Sequence, residues 1–250
     1  MQLKLSTWME IDAYLERSKA ILIPIGSTEQ HGPTGLIGTD FLCPEIVGER
    51  VAADGDILMA PTFNVGMAQH HLGFSGSMTL RPSTFMAVME DWVTSLTVHG
   101  FTHFYFLNGH GGNIATINAG FAEIYAKRSL QTAEGRPRIR MKLRNWWDGK
   151  ETMDFCKATY GDAHGSHATP SEVAITQYGY PDHIKKSNGL DPEIAPNGGF
   201  TDAVDYRRRF PDGRIGSNPL LANPKDGGKI VEISAREIIE DFQKFEAEEI

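Results

Sequence analysis

Short apolar runs alternate along the chain with stretches whose apolar residues recur every three or four positions. Ala20 to Ile25 (AILIPI) is continuous, apolar and stops at Gly26, which predicts a buried strand. Thr39-Asp40 opens a helical stretch through Ala53, and Ile57 to Ala60 predicts a second strand, halted by Pro61. Ser83 stands as an N-cap ahead of Phe85, Val88, Met89, Trp92 and Leu96, with Gly100 where a C-cap belongs. Phe104 to Leu107 (FYFL) is the most strand-like run and ends at Asn108-Gly109. Asn113 is placed to cap a helix carrying Ile114, Ile117, Phe121 and Ile124 on one face, and Ile139 to Leu143 alternates as a further strand. Pro170 to Tyr178 predicts a short helix with proline in its first turn. Residues 181–228 are rich in Pro, Gly, Asn and Asp and predict a long irregular segment, a lid or a subunit contact. From about Lys229 the apolar positions Val231, Ala235, Ile238, Phe242 and Phe245 predict a closing helix.

Strands alternating with helices predict an α/β fold, a mostly parallel sheet with helices on both faces. No internal repeat or linker divides the chain, so residues 1–250 are expected to form one domain. In such sheets ligands bind beyond the carboxyl ends of the strands, so motifs that directly follow a strand carry the most weight.

Three stretches qualify. Gly26-Ser27-Thr28-Glu29-Gln30-His31-Gly32 follows the first strand, and in extended chain Glu29 and His31 project to the same side. Asp40 opens the next helix, where an anionic side chain is favoured and an ionised Asp can bridge two cations. Asn108-Gly109-His110-Gly111-Gly112-Asn113 follows the FYFL strand, and its glycines let backbone approach a bound group closely. Ile114 occupies the place of a third glycine, which removes a GxGxxG dinucleotide-binding reading. His164 to Glu172 (HGSHATPSE) holds two histidines and a glutamate. His70-His71 precedes a glycine-containing loop and could line the same cleft, whereas His99, His103 and His183 read as structural or surface residues. Glu29, His31, Asp40, His110 and Glu172 together form an oxygen-rich N/O set without thiolate, suited to Zn²⁺, Mn²⁺ or Fe²⁺. Five such ligands, three of them carboxylates, can hold two ions ~3.5–4 Å apart, as in metal-assisted hydrolysis.

Composition narrows the partners. Lys plus Arg number 24 against 32 Asp plus Glu, a net charge of −8, so a dedicated nucleic-acid binder is not expected. The one basic run, Arg207-Arg208-Arg209, reads as a solvated loop. Cys43 and Cys156 form no CxxC pair and read as reduced, partly buried thiols of a cytosolic protein. No leader segment and no apolar run of ~20 residues is seen, so no membrane span is expected.

The stretch PIGSTEQHGPTGLIGTD, Pro24 to Asp40, resembles the signature of the creatininase family of metal-dependent amidohydrolases. NGHGGN at 108–113 is similar to that family's second motif. Trp147-Asp148 and the five-residue step from His167 to Glu172 resemble its third and fourth. The likeness runs from the first strand to about residue 180. It implies a three-layer α/β/α fold, a binuclear Zn²⁺ or Mn²⁺ centre and a homohexamer. The implied activity is opening of an amide in a small cyclic or formyl-bearing substrate. Carried over, Glu29, His31, Asp40 and His110 are metal ligands with Asp40 as the bridge, His167 is the active-site histidine, and Trp147 is an aromatic wall.

Two positions depart from creatininase itself. Gly112 stands where creatininase has a metal-binding glutamate, and Ala163 stands where it has a tryptophan that covers the substrate. Both departures argue against creatinine, and the GHGGN form resembles relatives acting on formamidopyrimidines or modified peptides. Glu172 is expected either to supply the missing carboxylate or to orient His31 or His110 from behind. In the expected mechanism a metal-activated water attacks a carbonyl, with His167 moving the proton to the leaving nitrogen. The alternatives are a peptidase of modified peptides and a non-catalytic binding protein of the same fold.

Overall fold

The structure is a computed structural model and describes residues 1–130 and 137–250. Three parallel strands, β1 (Ala20–Ile25), β2 (His103–Asn108) and β3 (Arg140–Asn145), lie in the order β1-β2-β3. Their register sets Ile25 opposite Asn108 and Asn108 opposite Asn145, so the carboxyl ends finish level. β1 and β2 are buried at every position, which explains their continuous apolar sequence.

The predicted strand at Ile57 to Ala60 lies on the outer side of β1 but forms only isolated bridges. Leu22 N–H donates to Leu58 O (2.9 Å) and Ala60 N–H to Leu22 O (2.8 Å), and pairing resumes at Phe63. Pro24 of β1 has no N–H to give to Ala60 O, which interrupts the ladder between them. The chain therefore passes from β1 to one side, at 57–63, and then returns across to β2 on the other. That reversal opens a crevice at the carboxyl end of β1.

Alternate residues of the strands enter two separate cores. Ala20, Leu22, Tyr105 and Leu107 pack under α2 (Thr39–Asp54), α5 (Lys150–Tyr160), α6 (Pro170–Gly179) and α8 (Pro224–Glu246). Ile21, Ile23, Ile25, Phe104 and Phe106 pack under α1 (Trp8–Arg17), α3 (Pro82–Val98) and α4 (Ile114–Leu130). The fold is thus a three-layer α/β/α arrangement, as expected.

Local signals misplaced several boundaries. α3 starts at Pro82 with Arg81 before it, so Ser83 lies inside the helix and is not its cap. Asn113 does not cap α4. Its side chain accepts from Met67 N–H and donates to Gly26 O and Asn108 Oδ1, tying three loops together. α8 starts at Pro224, capped by Asn223, five residues ahead of the expected Lys229. The segment 181–228 is less irregular than expected, for it also holds α7 (Ala203–Arg209). The basic run forms the last turn of α7, where Arg208 and Arg209 pair with Asp205 and Arg207 lies over the Phe74 ring. His103 is not in a loop. It begins β2 and its Nε2 lies 3.0 Å from Glu248 O. Cys43 and Cys156 are fully buried and unbridged. Among the described residues no helix is long and apolar enough to cross a membrane.

Candidate metal centre

The site forms where the chain leaves β1 and β2. The start of α2 is pressed between these two strand ends. A Cβ on Gly26 would stand 2.2 Å from Asp40 O, and one on Gly109 2.0 Å, so only glycine allows this approach. Asp40 therefore sits in the first turn of α2, above the sheet edge, where the helix dipole favours its charge.

Around Asp40 the donors converge. Its Oδ1 lies 3.0 Å from His31 Nε2 and its Oδ2 2.7 Å from His110 Nδ1. Glu29 places Oε2 3.3 Å from His110 Nε2 and Oε1 2.9 Å from His71 Nε2. Glu172 places Oε1 3.8 Å from His31 Nε2. His167 packs against His31 at a tilt of 49° with ring centroids 4.4 Å apart and turns Nδ1 to within 3.8 Å of Glu29 Oε1. Both Glu29 oxygens, His31 Nε2 and Asp40 Oδ2 are buried yet make no hydrogen bond. Buried polar atoms left in this state are costly unless something else satisfies them. Three overlapping groups have donor atoms close enough to hold an ion: Glu29/Asp40/His110, His31/Asp40/Glu172 and Glu29/His31/His167. Carboxylate oxygens and imidazole nitrogens are the donors that Zn²⁺, Mn²⁺ and Fe²⁺ accept, so the residues fit such an ion.

The electrostatics follow from burial and crowding. Burial opposes charge on Asp40, but His31 and His110 outweigh it and hold the carboxyl well below its ordinary range. Burial and the neighbouring Asp40 push Glu29 well above its ordinary range. Burial opposes a charged His110, but Glu29 and Asp40 raise it to about 9. His31 is raised well above 6.5 against burial, by Asp40 and Glu172. His167 falls to about 3 through burial and the facing His31, and His71 falls through burial and His167. His31 and His110 therefore favour the charged form beside the carboxylates, and His167 and His71 favour the neutral one.

All five residues expected from sequence, Glu29, His31, Asp40, His110 and Glu172, meet in this cluster, with His167 against it. Trp147 stands apart, on the wall of the adjoining cavity beside Trp146. Gly112 leaves no space for a glutamate, because a Cβ there would lie 2.4 Å from His110 Nε2 and 2.9 Å from Met67 O. His70 and His71 line the cavity, as expected of the paired histidines, but sequence reasoning gave His71 no contact with the metal cluster and Gln30 no role. His71 Nδ1 lies 3.0 Å from Gln30 Nε2, and that amide also reaches His167 Nε2 (2.9 Å) and Gly213 O (2.9 Å). The paired histidines ahead of the Gly73–Gly76 loop were the available signal for His71.

A cavity of about 450 Å³ opens from the cluster. Its lining includes Trp147 and Met153 together with the mutually packed rings of His70, Phe200 and Tyr206. Phe200 stacks on the His70 ring at 4.7 Å and meets Tyr206 edge-on at 4.8 Å. Phe200 and Tyr206 come from the segment expected to be a lid, and Arg214 pins that roof. Its guanidinium, fully buried, donates to Pro192 O, Glu193 O and Ser217 O and pairs with Asp212 at 2.7 Å. Ile215 and His167 exchange backbone hydrogen bonds, and Ser217 Oγ–H donates to His167 O at 2.6 Å. The roof is therefore tied directly to the backbone of His167.

A parallel α/β/α sandwich with a buried carboxylate–imidazole cluster at its strand ends is the architecture of a metal-site protein. The family model described as creatininase, creatinine amidohydrolase, matches residues 4–242, and the chain belongs to the creatininase family. A mycofactocin precursor peptide peptidase of Mycolicibacterium smegmatis is 28% identical over 182 residues, 70% of this chain and 64% of that protein. A creatinine amidohydrolase of Pseudomonas putida is 30% identical over 148 residues, 57% of this chain and 56% of that protein. The match therefore spans less than two thirds of either curated relative. The solved structure of a creatininase in its Mn form superposes with a TM-score of 0.86 at 21% identity, covering 99% of both chains, a likeness of fold.

Proposed function

We propose that the protein, one domain over residues 1–250, is a metal-dependent amidohydrolase. It opens a non-peptide C–N bond, in an amide, cyclic amide or formamide of a small molecule. The observation that carries this reading is the set of buried donor atoms without hydrogen bonds, converging beside a cavity at the strand ends. Glu29, Asp40 and His110 would hold one ion, and His31, Asp40 and Glu172 a second, with Asp40 shared. Zn²⁺ and Mn²⁺ suit this set, and Fe²⁺ also fits. When bound, such ions lower the pKa of water toward neutrality and polarise a carbonyl.

The chain's own residues do the rest. His167 lines the cavity and turns Nδ1 to within 3.8 Å of Glu29 Oε1, a place from which it can move a proton to the leaving nitrogen. His71 and Gln30 hold Glu29 and His167 in place from behind. Trp147 and Phe200, which both line the cavity, offer aromatic faces to a flat substrate. The acidic surface speaks for a small-molecule partner over nucleic acid, and two free buried thiols fit a cytoplasmic setting. Leu5, Trp8 and Met9 cluster in sequence and stand exposed, in keeping with the expected homohexamer.

The test is turnover by purified protein with Mn²⁺ or Zn²⁺ against cyclic amides, formamides and a modified peptide. Metal-dependent hydrolysis of an amide or formamide is expected. Turnover of the peptide alone would favour the peptidase reading, which the names of the mycobacterial relatives suggest. Creatinine is expected to be turned over far below the ~10 s⁻¹ usual for enzymes, because Ala163 supplies no ring to cover it.

Metal binding should also depend on pH in a definite direction. In the metal-free protein the His110 charge contributes stability below about 6.5, and this is lost as pH rises through about 9. A bound ion needs the bare nitrogen, so the rise in melting temperature on adding Mn²⁺ should grow from pH 6 to pH 9. A constant or shrinking rise would exclude His110 as a ligand.

A further inference from the structure

We propose that His164 is a positioning residue for the metal centre, acting through Ser171 and Thr169 to fix Glu172. The geometry is a continuous chain. His164 Nε2 lies 2.7 Å from Ser171 Oγ, Ser171 Oγ lies 3.0 Å from Thr169 Oγ1, and Thr169 Oγ1 lies 2.7 Å from Glu172 Oε2. Glu172 Oε2 also accepts from Thr169 N–H at 2.8 Å, and Glu172 N–H donates back to Thr169 Oγ1 at 3.3 Å. These local bonds form a capping box that starts α6. Ser171 and His164 extend it to the cavity wall, which both of them line.

Counting hydrogens sets the direction of every bond. A carboxylate only accepts, so the single Thr169 hydroxyl hydrogen goes to Glu172. Thr169 Oγ1 must then accept from Ser171, whose own single hydrogen is thereby committed. Ser171 Oγ accepts from His164, so His164 carries its hydrogen on Nε2 and leaves Nδ1 bare. Each hydroxyl gives once and the run ends on the carboxylate, an arrangement in which each bond polarises the next. Tyr160 stacks nearly parallel on the His164 ring at 6.0 Å, which restrains it. Burial pushes the Cys156 thiol beside Ser171 up to about 12, so it adds no negative charge to the chain.

The consequence falls on Glu172. With Oε2 held by two donors, Oε1 is left facing His31 and Asp40. A capping box alone would suffice to start a helix. The added Ser171 and His164 serve the orientation of the carboxylate.

This inference rests on the reading of Glu172 as a ligand, and the experiment separates the two. Mn²⁺ binding is measured by titration calorimetry and electron paramagnetic resonance on the full chain, with melting in EDTA as the control for folding. Ser171→Ala and His164→Leu should each weaken one equivalent by about 10-fold, the lower end for outer partners of ligands. His164→Gln, whose amide N–H can donate from nearly the same place, should keep the wild-type affinity. Imidazole ¹⁵N spectra should show His164 protonated at Nε2 in the wild type and a mixture of tautomers in Ser171→Ala. Equal affinities for the Leu and Gln variants, or hydrogen on Nδ1 in the wild type, would overturn the proposal. Unchanged binding by Glu172→Gln would instead overturn the ligand reading. If the Leu and Ala variants fail to fold, the wild-type tautomer and the Gln variant decide.

Discussion

Asp40→Asn protein should bind neither ion and lose turnover by more than the 10–100-fold typical of partners behind the ligands. Asp40 is common to two of the three groups able to hold an ion, and its oxygens face His31 at 3.0 Å and His110 at 2.7 Å. Asparagine keeps the shape and removes the charge that makes the site attractive to a cation. Its amide nitrogen cannot coordinate as carboxylate oxygen does. The fold should persist, because the side chain is no cap of α2 and a helix-dipole contribution is typically worth about 1 kcal/mol. That corresponds to a fall of roughly 2–4 °C for a chain of this size, measured in EDTA. His31 and His110 each lose one of the carboxylates that raise them, while Glu172 still acts on His31 and Glu29 on His110. Atomic absorption showing the wild-type metal content in Asp40→Asn would refute the shared-ligand reading.

Arg214→Met should be the most destabilising single change in the roof, by roughly 3 kcal/mol in urea denaturation. That is the low end of the range for breaking a buried pair, chosen because Asp212 is about a third exposed. Three backbone carbonyls lose a charged donor at once, at Pro192, Glu193 and Ser217. Lysine should not rescue, since a single ammonium cannot replace a planar fork with several fixed donors. Once an active substrate is known, KM should suffer more than kcat, because Phe200 and Tyr206 belong to the same roof and line the cavity. A loss below about 1 kcal/mol, the size of an ordinary surface-adjacent change, would show that the roof is held by other contacts.

The sequence by itself was enough for whatever is written in neighbouring residues. Continuous apolar runs marked β1 and β2 because strands buried on both faces need no polar alternation. Glu29, His31 and His110 stood out because each lies in a loop that directly follows a strand, and Asp40 because it opens the helix after the first of these loops; chain direction brings such residues to one edge of a parallel sheet. Helices with sparse apolar positions were not legible. α5 buries Thr152, Cys156 and Tyr160, a stripe in which only the spacing of four betrays a helix.

Tertiary structure decided the rest, because it joins residues that no local pattern relates. His71 reaches Glu29 only after the chain crosses from β1 to the 57–63 segment, and its partner Gln30 lies 41 positions away. Gly112 looked like a lost ligand, yet the packed ring of His110 shows that no side chain fits there. Arg214, in a segment that composition marked as irregular, is fully buried because carbonyls from three separate positions close around it. A buried guanidinium needs acceptors for its donors, and beyond the Asp212 carboxylate those acceptors are backbone atoms whose placement no residue type announces.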